Sequence, residues 1–145
     1  SVALENYFKE HRSSYYWDAP RFKGVVAHCT NKTVAKQLQK ILKKTPRERW
    51  KDVLEEFSIA HGQDVICEMA IFARGDNSFV DRKIYKGKRV SSLPTHPFTL
   101  VLGKKIKGPE TLDEAGQKVL VDYRKLLLKQ WESVLLATFK SEIGK

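Results

Sequence analysis

His28 and Cys29 sit side by side in "GVVAHCTNKTVAKQLQKILKK", where an apolar run gives way to a helical pattern. A histidine beside a cysteine is the raw material of a thiolate nucleophile and its base, so this dipeptide is the first candidate for chemistry. The spacing argues against that use. "RFKGVVAHC" reads as a strand, and successive strand residues point to opposite faces. Val25, Ala27 and Cys29 then share one face and Val26 and His28 the other, so His28 and Cys29 do not face each other as a nucleophile and its base must. The other histidines, His11, His61 and His96, have no metal-ligand spacing to one another or to the cysteines. The chain has no phosphate-binding glycine loop, no HExxH and no nucleophile elbow. Cys29 and Cys67 fall in two different expected strands; they form one bridge if those strands are neighbours, or stay as two buried thiols.

The elements that must position His28 are legible from periodicity. A helix is expected at the start, with Leu4, Tyr7 and Phe8 on one face, followed by the aromatic cluster Tyr15, Tyr16 and Trp17, read as a core plug. After the first strand, Val34, Leu38, Ile41 and Leu42 mark a helix from about Lys32 to Lys44. Thr45, Pro46 and Glu48 read as a capped start for the next helix, whose buried face is Trp50, Val53, Leu54 and Phe57. A second strand follows from Asp64 to Phe72, then a turn at "RGDNS". Phe79 to Tyr85 is a short helix or an extended piece. "KGKR" and "SSLPTHP" read as loops, "FTLVLG" (Phe98 to Gly103) as a third strand, and Lys104, Lys105 and Lys107 as loop residues. Thr111 and Glu114 read as a capping box for a final helix reaching about Phe139, with Ala115, Val119, Tyr123, Leu126, Leu127, Trp131, Val134 and Leu135 on a broad apolar face. That helix outruns a small sheet, so its far half must pack on the first helix or on chain beyond this segment.

The 145 residues suit one sizeable core, and 41% hydrophobic with 30% charged residues indicate a folded chain. No apolar run approaches the length of a membrane span. The formal net charge of +10 attracts polyanions. That charge motivates an alternative reading as a basic α+β nucleic-acid-binding module, although no base-reading motif is present and many of the lysines fall between core positions of expected helices.

The order strand, helix, helix, strand, turn, short helix, strand resembles a parvulin-type peptidyl-prolyl isomerase. "VVAHCTNKTVAKQLQKILKK" is similar to that family's opening strand and helix, with His28 and Ala35 in place. "RWKDVLEEFS" is similar to its second helix, with Trp50, Phe57 and Ser58. "EMAIFARGDNSFVDRKIYKGK" resembles the stretch in which an acidic residue leads to aromatics and a short helix, here Glu68, Phe72 and Phe79. "HPFTLVLGKKI" resembles the closing strand. "GPETLDEAGQKVLVDYRKLLLKQW" resembles the C-terminal helix of exported chaperone–isomerases of the SurA/PpiC type, in which it returns to pack with an N-terminal helical chaperone domain; "LENYFKEHRSSYYW" looks like theirs as well. The resemblance covers nearly the whole chain.

It implies an α+β fold with a small antiparallel sheet covered by helices, an N-terminal helix and aromatic linker over 1–19, a parvulin-like domain over 20–108, and a long C-terminal helix over 109–145. It implies catalytic positions at His28, Glu68 and Thr99, and substrate-binding positions at Cys67, Phe72, Phe79 and Phe98, with no metal and no cofactor. It also implies export, to the periplasm or beyond, with any leader ahead of Ser1, and partners that are unfolded or extended polypeptides, including outer-membrane proteins, together with the rest of a larger chain. Departures from the pattern imply an incomplete site. Thr99 stands where active members carry a second histidine, Ile66 and Cys67 replace a pair of glycines, Met69 and Ala70 replace Leu-Gly, and Asn77 stands about where a methionine beds the proline. The resulting expectation is peptide capture with weak or no isomerase activity.

Overall fold

The computed structural model describes residues 1–144 and has an α+β fold. The chain forms two compact units, one of Ser1–Ala19 with the segment from Lys107 onward, the other Pro20–Ile106.

In Pro20–Ile106, three strands form an antiparallel sheet in the order β2-β1-β3. The strands are β1 (Arg21–Cys29), β2 (Val65–Phe72) and β3 (Phe98–Ile106). Strand β1 is central because it carries apolar residues on both faces. Val25, Ala27 and Cys29 face a core built with α2 (Lys32–Lys43) and α3 (Trp50–His61), through Val34, Leu38, Leu42, Trp50, Leu54 and Phe57. Phe22 and Val26 face a second core with Phe72, Val101 and Val80 of α4 (Ser78–Ile84). The sheet is therefore covered by two helices on one side and one on the other.

Local signals explain the boundaries. Asn31 caps α2 by accepting from the Val34 N–H, and Asn77 caps α4 by accepting from Phe79 and Val80. Gly62, at φ 54°, closes α3 in a conformation that a side chain resists. Ile41 does not join the buried stripe of α2 and is exposed. The stripe centres on Leu38, and at about 100° per residue Ile41 lies some 60° off that line. Thr45 does not cap α3. Its hydroxyl donates to the Ile41 carbonyl of the preceding helix, and a 3-10 turn over Arg47–Arg49 starts α3 instead. Trp50 ties the two helices together by donating its indole N–H to the Leu42 and Thr45 carbonyls. Strand β3 runs three residues past the expected end, which places Lys104 and Lys105 in the sheet rather than in a loop.

The other unit is built on α1 (Val2–Glu10), α5 (Leu112–Ala115) and α6 (Gln117–Ile143). Phe8, Tyr15 and Val119 form its core, and the Tyr15 hydroxyl donates to Asp122 at 2.8 Å. Tyr15 thus plugs a core as expected, while Tyr16 is exposed. The expected single closing helix is split. Thr111 does cap α5, but Gly116 at φ 73° ends it, and α6 begins afresh and runs beyond Phe139. Glu114 reaches back to the Glu110 N–H rather than to Thr111, so the capping box is displaced by one residue. Beyond Tyr123, the apolar side chains of α6, among them Leu127, Trp131, Val134, Leu135 and Phe139, are exposed. No helix among the described residues is long and apolar enough to cross a membrane.

Candidate functional site

The register of the sheet sets the site. His28 pairs with Ile66 of β2 on one side and with Thr99 of β3 on the other. Directly paired residues point to the same face, so these three side chains emerge together on the side of the sheet that carries α4. His28 Nδ1 lies 2.7 Å from the Thr99 hydroxyl. The ring of Phe79, in the first turn of α4, meets the His28 imidazole edge-on with centroids 4.7 Å apart. Ile66, near the start of the edge strand β2, is 52% exposed and leaves an apolar side chain open beside His28.

This environment disfavours the charged form of His28. Its pKa is lowered from the usual histidine value, first by burial and then by the nearby His96. His96 is held at the mouth of the loop before β3, where Nε2 donates to the Gln63 carbonyl at 2.6 Å and Nδ1 lies 2.8 Å from the Thr95 hydroxyl. A threonine hydroxyl both donates and accepts, so it satisfies Nδ1 in either neutral tautomer. Nε2 is then the ring nitrogen that a ligand would meet.

The other expected site residues divide by strand parity. Glu68 pairs with Val26 and so shares the His28 face, two residues along the sheet, or about 7 Å at the usual strand rise. Cys67 and Phe98 do not reach this face. They pair with Ala27 and Cys29, whose side chains point to the α2–α3 side. There the Cys67 sulfur lies 3.3 Å from the Ser58 hydroxyl. Phe72 shares the His28 face but pairs with Phe22, six residues from His28 along β1, or about 20 Å. It is buried against Phe22 as a core residue. The site is thus His28, Thr99, Phe79 and Ile66, with Glu68 at its margin.

Both cysteines are free thiols. Although β1 and β2 are neighbours, Cys29 opposes Val65 and Cys67 opposes Ala27, so the two are diagonal rather than directly paired. Such diagonal positions stand about 7–8 Å apart, at or beyond the span of an unstrained bridge. Burial, reinforced by Cys67 and then Asp64, pushes the Cys29 thiol above its usual range. A buried, neutral thiol on the face opposite His28 is not a nucleophile. Among the described residues no group of histidine, cysteine and carboxylate side chains could hold a metal ion.

Two participants were not legible as site residues. Ile66 stood out only as a departure from a glycine, and its exposure follows from the register. His96 sits in "SSLPTHP", and only the fold of that loop brings it near His28. No protein-family model, curated protein or solved structure matches the chain.

Proposed function

We propose that Pro20–Ile106 is a degenerate parvulin-like domain of an exported, periplasmic chaperone–isomerase, which holds extended segments of unfolded or outer-membrane proteins with weak or no isomerase activity. The observation that carries this reading is the cluster of His28, Thr99 and Phe79 on one face, with a 2.7 Å histidine–threonine contact and an aromatic ring against the imidazole. The element order of the resemblance, strand, helix, helix, strand, turn, short helix, strand, is also that of this unit.

Phe79 and Ile66 offer apolar surface to a side chain of an extended segment, and His28 Nε2 offers one hydrogen bond to its backbone. That arrangement suits transient capture. It is poorly equipped for turnover. The uncatalysed barrier is about 18–20 kcal/mol, and a millionfold acceleration requires about 8 kcal/mol of differential stabilisation. A single neutral hydrogen bond supplies a net of about 0.5–1.5 kcal/mol, on the order of tenfold. With Thr99 engaged on Nδ1, no second imidazole shares the work. The exposed apolar side chains of distal α6 fit a role in joining this segment to the remainder of a larger chain.

The test is an isomerisation assay on a prolyl peptide, paired with peptide binding. The expected result is binding that His28→Ala and Phe79→Ala weaken, with acceleration no greater than about tenfold. A large turnover abolished by His28→Ala would overturn the inactive part of the reading; binding unaffected by both variants would overturn the site. A second reading, a basic nucleic-acid-binding module, rests on the net charge of +10.

A further inference from the structure

The net charge is confined to one unit. Pro20–Ile106 holds 18 lysines and arginines against 8 aspartates and glutamates, a net of +10, which equals that of the whole chain. Half of those cations lie in two runs on opposite sides of the sheet. One lies on α2, where Lys32, Lys36, Lys40 and Lys43 have no acidic neighbour within the helix. The other is the run Arg82, Lys83, Lys86, Lys88 and Arg89, which spans the end of α4 and the loop after it and contains no acidic residue.

The second group lies on the same side of the sheet as the candidate site, but α4 runs from Phe79 beside His28 toward the other end of the sheet, where the Tyr85 hydroxyl donates to the Pro20 and Phe72 carbonyls. Lys83 stands four residues after Phe79, on the same side of α4. Its ammonium donates to the Val101 carbonyl at 2.7 Å, two residues from Thr99. Arg82 donates to the Gly87 carbonyl, and the Gly87 N–H donates to the Asp81 carbonyl, so the turn that carries Lys86 and leads into Lys88 and Arg89 is fastened to α4. The same loop continues to His96, whose charge bears on His28. One connected segment thus presents exposed cations at one end and borders His28 at the other. An extended segment of about six residues laid along this face would span from His28 to that run, which suits a polypeptide with carboxylates, whereas a nucleic acid would be served equally by the α2 lysines on the far side.

We infer that the segments taken at the His28–Phe79–Thr99 site are acidic extended polypeptides, whose Asp or Glu residues lie against Lys86, Lys88 and Arg89. This rests on the proposed function and adds the chemical class of the client.

The experiment uses the full chain and three fluorescent peptides that share an aromatic–proline centre, flanked by glutamates, by lysines or by serines. The expected order of affinity at about 50 mM salt is acidic, then neutral, then basic, with the acidic preference shrinking at 0.5 M salt. The triple variant K86E/K88E/R89E should lose about tenfold for the acidic peptide, since exposed ion pairs are individually weak and three act together, while the serine peptide binds as before. The variant K36E/K40E/K43E makes the same change in net charge on the other side of the sheet and should cost less than about threefold. Equal losses in the two variants, or no loss in the first, would overturn the inference while leaving capture of the neutral peptide intact. Failure of the wild-type chain to bind all three peptides would instead defeat the proposed function and the inference with it. Tighter binding of a single-stranded oligonucleotide than of the acidic peptide, reduced equally by both variants, would overturn the inference in favour of a general polyanion surface.

Discussion

Gly24 of β1 and Gly103 of β3 face each other in the same register that sets His28 opposite Thr99, so a methyl group placed at Gly103 probes the pairing on which the site depends. A Cβ at Gly103 would lie 2.6 Å from the Gly24 Cα and would also collide with the Lys23 carbonyl oxygen. Carbon atoms rest at about 3.5–4.0 Å, so the strands would have to part by about 1 Å and stretch their ladder hydrogen bonds. Overpacking of this kind costs about 1–3 kcal/mol. The backbone at φ +155° adds about 1–3 kcal/mol for any residue with a side chain. Gly103→Ala should therefore destabilise by about 4 kcal/mol, a fall of about 15–30 °C in Tm for a unit of this size. Gly62→Ala is the control, because its Cβ meets nothing and only the strain of φ +54°, ψ −125° remains, about 1–3 kcal/mol. Urea denaturation followed by circular dichroism measures both. If Gly103→Ala costs no more than Gly62→Ala, the glycines do not face each other, and the placement of His28 against Thr99 falls with them.

His28 titrates below the usual histidine pKa because burial and His96 disfavour its charged form. The unfolded chain then takes up this proton first, so His28 lets the fold keep its full stability above about pH 6.5 and lose some of it as pH drops through the lowered folded value. Urea midpoints between pH 8 and pH 5 should fall less steeply in His28→Gln than in the wild type; parallel slopes would show that His28 is not desolvated. Trp50→Phe removes the indole donor from the Leu42 and Thr45 carbonyls and should cost about 1–2 kcal/mol. A loss below about 0.5 kcal/mol in the same denaturation assay would mean that these bonds do not hold the α2–α3 corner.

The fold was readable wherever one face of an element is buried and the other is not. Val34, Leu38 and Leu42 mark α2 at helical spacing, and the alternation of Val25, Ala27 and Cys29 with Val26 and His28 marks β1 and both of its faces. The errors came from competition that a pattern does not weigh. The Thr45 hydroxyl has two possible partners and takes the carbonyl of the helix behind it. Gly116 lies inside an apolar helical pattern, yet its positive φ separates α5 from α6.

The site was half legible for a related reason. His28, Phe79 and Thr99 were named from the resemblance, and the register brings them together. Naming Cys67 with Glu68, and Phe98 with Thr99, set neighbours on one strand to line a single face, which strand alternation forbids. Long-range pairing decides which of each couple faces His28, and no local signal near Ile66 or His96 records it.

Backbone amide spectra of the labelled chain, recorded while a proline- and aromatic-containing peptide is titrated in, place the bound segment on the structure. The account predicts shifts concentrated at His28, Ile66, Phe79 and Thr99 and in the loop ending at His96, with α2 and Cys67 nearly still. Shifts centred on α2 and α3, or none at millimolar peptide, would contradict it.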